Sequence, residues 1–133
     1  MLKSILLGLC SALLIALSFA RVTHAADVVM ISHPGTTISA REVKEAFLGG
    51  KQFAGTIKLI PVDNAALQGD FLSQFIQMDA AKYNGVWIKK SFRDGLIPPA
   101  VKSGDKEVIE FVRRRPGAIG YVSSAPDGVK IIP

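Results

Sequence analysis

Between Phe111 and Val122 a helix has to end and a strand has to begin, and this junction constrains the fold more than any other stretch of the 133-residue chain. Arg113, Arg114 and Arg115 close the helix, Pro116-Gly117 makes the turn, and Ala118-Ile119-Gly120-Tyr121-Val122 is a short apolar strand. Cations at a helix C-terminus complement the macrodipole by roughly 0.3 to 1 kcal/mol each, so the three arginines have a structural role of their own. A helix feeding directly into a buried strand belongs to an α/β domain.

The other end reads as a targeting segment. Lys3 precedes an apolar run from Ile5 to Ala20, and Thr23-His24-Ala25 stands before Ala26, the pattern of a cleaved secretory signal peptide. The run is too short for a convincing transmembrane span, so cleavage after Ala25 with no stable membrane anchor is expected, and the compartment is the periplasm. Losing Lys3 and Arg21 lowers the basic count from 16 to 14 against 11 acids, and the formal charge from +5 to +3. The one cysteine, Cys10, leaves with the signal. Residues 26–133 then form one small domain that must be held by its core without disulfides.

Strands and helices alternate along that domain. Asp27 to Ser32 reads as a strand and His33 to Thr37 as the loop that ends it. Ser39 with Glu42 three positions later predicts a capping box for a helix that buries Val43, Ala46 and Phe47 and stops at Gly49-Gly50. Thr56 to Val62 is a second predicted strand. Asp63-Asn64 is turn or cap chemistry handing over to a helix with Phe71, Leu72, Phe75 and Ile76. Asp79 caps a further helix containing Tyr83, Val86 and Trp87, and Phe92 to Pro99 is expected to be irregular. Ser103-Gly104-Asp105 opens the last helix, and Val129 to Ile132 is a terminal strand. The predicted class is α/β, a mostly parallel sheet flanked by helices.

Enzyme chemistry finds little to work with. No cysteine nucleophile follows Ala25, His33 is the one histidine beyond it, and neither a metal-ligand spacing nor a GxxxxGK phosphate loop is present. A non-catalytic protein without a cofactor is expected. The arginine run lacks the aromatic platform of a nucleic-acid surface, because Phe71, Phe75, Trp87 and Phe111 sit at core spacing. What an α/β chain does offer is capture of an anion or polar ligand at helix N-termini, where unpaired backbone amides and the dipole point at a ligand beyond the carboxyl end of a strand. Two loops are candidates: Ser32 to Thr37, with hydroxyls at Thr36 and Thr37, and Asp63 to Leu67.

Several motifs together have a family likeness. Ser39-x-x-Glu42-Val43-x-x-x-Phe47-Leu48-Gly49-Gly50-Lys51, Pro61-Val62-Asp63, Trp87 and Phe92 before Pro98-Pro99, and Val108-Ile109-x-Phe111-Val112 with Pro116-Gly117-Ala118-Ile119-Gly120-Tyr121-Val122 are spread over nearly all of residues 26–133. The chain resembles the small periplasmic phosphate-binding-protein-like family, short relatives of the substrate-binding component of phosphate ABC uptake systems. The resemblance implies one half of a two-domain clamp. It also implies a ligand such as phosphate or another small anion or polar molecule, with Thr36 and Thr37 facing Asp63 and Asn64 across the site. Asp63 stands near a position where longer members carry arginine; an aspartate there accepts from a protonated phosphate and repels the dianion. The alternative function is an accessory module that keeps the half-clamp fold and docks to an ABC transporter, another envelope protein or a second copy.

Overall fold

The computed structural model describes residues 26–133; the expected signal segment lies outside the described residues. Seven strands form: β1 (Val29–Ser32), β2 (Phe53–Ala54), β3 (Ile57–Lys58), β4 (Ile60–Asn64), β5 (Ala100–Lys102), β6 (Ala118–Val122) and β7 (Lys130–Ile131). Five make the central sheet in the order β5-β4-β6-β1-β7, and β2 with β3 makes a separate hairpin. β4 pairs in parallel with β5 and β6, whereas β1 is antiparallel to both β6 and β7. Four of the five strands therefore point one way, as a mostly parallel α/β sheet requires, and β1 is reversed.

Helices cover both faces. They are α1 (Ala40–Phe47), α2 (Gln68–Phe71, continuing as a π-helical stretch Leu72–Ile76), α3 (Ala80–Asp94) and α4 (Asp105–Arg114). Side chains alternate across a pleated strand, so neighbours in sequence enter different cores. Met30, Ile119 and Tyr121 pack with residues of α1, α2 and α3, while Ile31, Val62, Ala118 and Val122 pack with Val108 and Val112 of α4. In the larger core the Phe71 and Tyr121 rings stack at 3.9 Å and Phe47 meets Phe71 edge-on at 4.9 Å. Each such fully buried side chain is worth about 1.5–3 kcal/mol.

The expected caps are present. Glu42 N–H donates to Ser39 Oγ at 3.3 Å and Ser39 N–H donates to Glu42 Oε2 at 2.8 Å, closing the box at α1. Asp79 Oδ1 accepts from Lys82 N–H at 2.7 Å at the start of α3. The helix-to-strand junction is tightened by two glycines. Gly117 has φ of 85°, and a Cβ there would lie 2.0 Å from the Lys58 carbonyl oxygen. At Gly120 a Cβ would lie 2.8 Å from Val108 Cγ1 and 3.0 Å from Val62 Cγ1, so its absence lets α4 approach the sheet.

Three boundaries differ from the sequence expectations. The strand expected over Thr56 to Val62 changes partner at Leu59: Ile57–Lys58 pairs with Phe53–Ala54, and pairing with β6 begins at Ile60. Asp63 and Asn64 belong to β4 rather than to the turn, because they pair with Val101 and Lys102 of β5. α3 continues through Phe92 to Asp94 and ends at Gly95 in the left-handed conformation, leaving residues 95–99 irregular. β5 itself was not expected. Three residues after a Pro-Pro pair hold no periodicity, and they become a strand only because β4 is there to pair with.

Candidate functional site

At the carboxyl end of β4, strand alternation sends Asp63 toward α3 and Asn64 toward α4. Asp63 is 2% exposed. Its Oδ1 accepts from Tyr121 OH at 2.8 Å and its Oδ2 from Tyr83 OH at 2.9 Å. Burial pushes the Asp63 carboxyl above its ordinary range, and the two tyrosine donors offset that only in part. Burial and the adjacent Asp63 charge likewise raise Tyr83 and Tyr121, so both remain phenols and both can donate. On the other face, Asn64 Nδ2 donates to Asp105 Oδ1 at 2.8 Å and to the Tyr121 carbonyl at 3.1 Å, while its Oδ1 accepts from Ala66 N–H at 3.1 Å. Partial burial works against ionising Asp105, but donors from Ser123 and Asn64 outweigh it and hold that carboxyl below its usual value.

Thr36 and Thr37 lie elsewhere. Because β1 is antiparallel, its carboxyl end sits beside the amino end of β6: Ser32 pairs with Ile119, and His33 N–H donates to the Ala118 carbonyl at 3.0 Å. Thr36 is fully buried there, with Oγ1 accepting from Gly117 N–H at 2.9 Å. Exposed Thr37 meets Lys130 Nζ at 3.4 Å. The two threonines and the Asp63-Asn64 pair therefore occupy opposite ends of the sheet, and the structure does not bring the four residues into one cleft. The expectation that they face each other is corrected by the direction of a single strand.

A groove of about 710 Å³ opens beside Asp63 instead. Trp87 and Ser91 of α3, Pro98 and Pro99 of the following loop, and Val101 of β5 contribute to its walls. Trp87 is fixed by Nε1 donating to the Phe47 carbonyl at 3.0 Å, and Ser91 Oγ is buried without a hydrogen-bond partner among the described residues. Among the described residues, Asp63 is the one charged residue in the lining, which contains no lysine or arginine. The rim is apolar and open: Ile88 is 70% exposed, Phe92 95% and Val101 62%, and Ile97, beside Pro98, is 88% exposed.

No family model matches the chain, and no curated protein matches it. Solved structures do. A phosphate ABC transporter substrate-binding protein from Clostridium perfringens, solved with bound phosphate, aligns with a TM-score of 0.59 at 15% identity, over 80% of this chain and 44% of that one. PstS from Borrelia burgdorferi gives 0.54 at 19% identity, over 80% and 46%. An ABC-type phosphate transport receptor from Vibrio cholerae gives 0.50 at 13%, over 80% and 45%. The fold is that of phosphate ABC transporter substrate-binding proteins, matched in part.

Within this phosphate-receptor fold the chain spans less than half the length of the proteins it matches. The residues singled out for other chemistry are engaged in holding the fold together. His33 Nδ1 accepts from Gly35 N–H at 3.0 Å inside the turn. Arg113 donates to the Asp127 carbonyl, and the Arg115 guanidinium lies 4.7 Å from the Phe111 ring centroid. Among the described residues no group of histidine, cysteine and carboxylate side chains is arranged to hold a metal, and no helix is long and apolar enough to cross a membrane. Sequence reasoning missed Trp87, Ser91, Phe92 and the prolines as members of one surface. The signal was there in the apolar residues Ile88 and Phe92, which fall off the buried face of α3 defined by Tyr83 and Trp87.

Proposed function

We propose that the chain is a non-catalytic, periplasmic recognition domain of the phosphate-receptor fold that works by docking through the Asp63 groove at the carboxyl end of β4. The observation carrying this reading is the rim: large apolar side chains stand in water around one groove, and exposed apolar clusters of this kind mark interaction surfaces. A small anion held here without a partner would face the Asp63 carboxyl, no cation in the lining and open solvent. A few hydrogen bonds in water contribute little to affinity, so the groove needs a cover before it can desolvate a ligand. Gln68, Asn84 and Ser91, with Asp63 behind them, are the polar residues of the lining that a covered ligand, or a polar atom of the partner, would meet.

The second reading is an autonomous receptor for phosphate or another small anion, favoured by the phosphate bound in the Clostridium perfringens neighbour. In that case Asp63 would accept from a protonated phosphate oxygen. Thermal unfolding of residues 26–133 in millimolar phosphate, against sulfate and chloride at equal ionic strength, separates the two. Docking predicts coincident curves. A phosphate-specific rise of several degrees, as expected for a site filled at about one hundred times its dissociation constant, would establish the autonomous receptor instead.

A further inference from the structure

We propose that a second copy of this chain covers the Asp63 groove, in a two-fold dimer in which Phe92 of each copy seats in the groove of the other. This names the partner for the recognition face proposed above and rests on that reading. An isologous interface needs one patch that complements itself, with knob and hole on the same face. Phe92 supplies the knob, 95% exposed near the end of α3. The hole is the 710 Å³ groove alongside, with Trp87, Pro98, Pro99 and Val101 presenting apolar walls to an entering aromatic ring.

Size and charge agree. A phenylalanine presents roughly 200 Å². With Ile88, Ile97, Val101 and Pro98, all exposed, the face supplies a large share of the roughly 800 Å² that each partner gives to a stable interface. The single charge in the lining, Asp63, is 2% exposed, and the exposed charges beside Ile88 and Phe92 on α3 are of both signs, Lys89 and Arg93 with Asp94. The neighbouring strand adds a second means of contact. Among the described residues β5 is the edge of the sheet on this side, pairing only with β4, and Val101 lies on the groove face of it. Two β5 strands meeting across a two-fold axis run antiparallel and can join the sheets.

Sedimentation velocity on residues 26–133, which contain both cores, tests the proposal over micromolar to sub-millimolar concentrations. The expected result is a dimer whose dissociation constant rises at least tenfold in Phe92→Ser, while Phe53→Ser, an exposed apolar residue on the β2-β3 hairpin, leaves it unchanged. Because Phe92 is already in water in the single copy, the melting temperature at dilutions where both proteins are monomeric should agree between Phe92→Ser and wild type. A wild-type chain that stays monomeric throughout overturns the dimer. If amide resonances of Trp87, Ile88 and Phe92 in that monomer respond to another envelope protein, the recognition face stands with a different occupant. A dimer insensitive to Phe92→Ser places the contact elsewhere and overturns the proposal, while the recognition face beneath it falls only if the Trp87, Ile88 and Phe92 resonances respond to no envelope protein.

Discussion

Gly120 has no space for a methyl group, since Val108 and Val62 already meet over it, and both belong to packed elements. Overpacking of this kind costs about 1–3 kcal/mol. Gly120→Ala should lower the unfolding free energy by that amount in a urea titration, with an unchanged m-value. Asp63 makes a different kind of prediction. Its carboxyl binds a proton more tightly in the folded chain than in the unfolded one, where the ordinary value is 3.8. That linkage stabilises the fold fully below the unfolded value and is lost as pH rises through the folded value. Asp63→Asn removes the titration while Asp105, Glu42 and Glu107 titrate alike in both proteins. The stability of wild type relative to the variant should therefore fall between acid and neutral pH; a flat or rising difference would contradict the burial argument. Asp63 was legible as a residue of interest but not as a buried one, because its burial depends on Tyr83 and Tyr121, 20 and 58 positions away.

At the scale of elements, the local signals were reliable where a few residues contain the whole interaction. The Ser39-Glu42 box and the Asp79 cap span three positions each, and both form as the spacing predicts. The turn out of α2 was less readable. Its helix passes from α to π geometry at Leu72, burying Leu72 and Ile76, and closes with Gln77 at φ 60°, the single non-glycine residue with positive φ among the described residues. An L side chain in the left-handed conformation costs about 1–2 kcal/mol, part of which glycine returns as unfolded-state entropy. Gln77→Gly should therefore stabilise the domain by about 0.5 kcal/mol, seen as a small rise in melting temperature. A fall would mean that the Gln77 side chain makes contacts worth more than the strain. α3 ran past its expected end because Gly95, not Phe92, supplies the stop.

For the whole molecule, the position of β1 is decisive. It is clamped between β6 and the two-residue β7, and Ile132 follows with its N–H donating to the Met30 carbonyl at 2.9 Å and its side chain in the larger core. Removing residues 129–133 leaves β1 as an edge and vacates the Ile132 slot. Loss of a buried isoleucine side chain alone costs about 2–5 kcal/mol, so the melting temperature should drop by several degrees or more. An unchanged melt would show that β7 is decoration. The reversed direction of β1 separates the Thr36 end from the Asp63 end, and the sheet order leaves β5 as an edge beside the apolar groove.

Legible along the chain is what short-range chemistry controls: the α/β alternation, the capped starts of α1 and α3, the Pro116-Gly117 junction and most of the buried apolar set. Tertiary structure alone decided the direction of β1, the existence of β5, the burial of Asp63 between two tyrosines, and hence the separation of Thr36 and Thr37 from Asp63 and Asn64. The physical reason is that caps and turns are closed by groups a few residues apart. Strand direction and side-chain burial are set by partners far along the chain, whose pairing the local pattern does not encode.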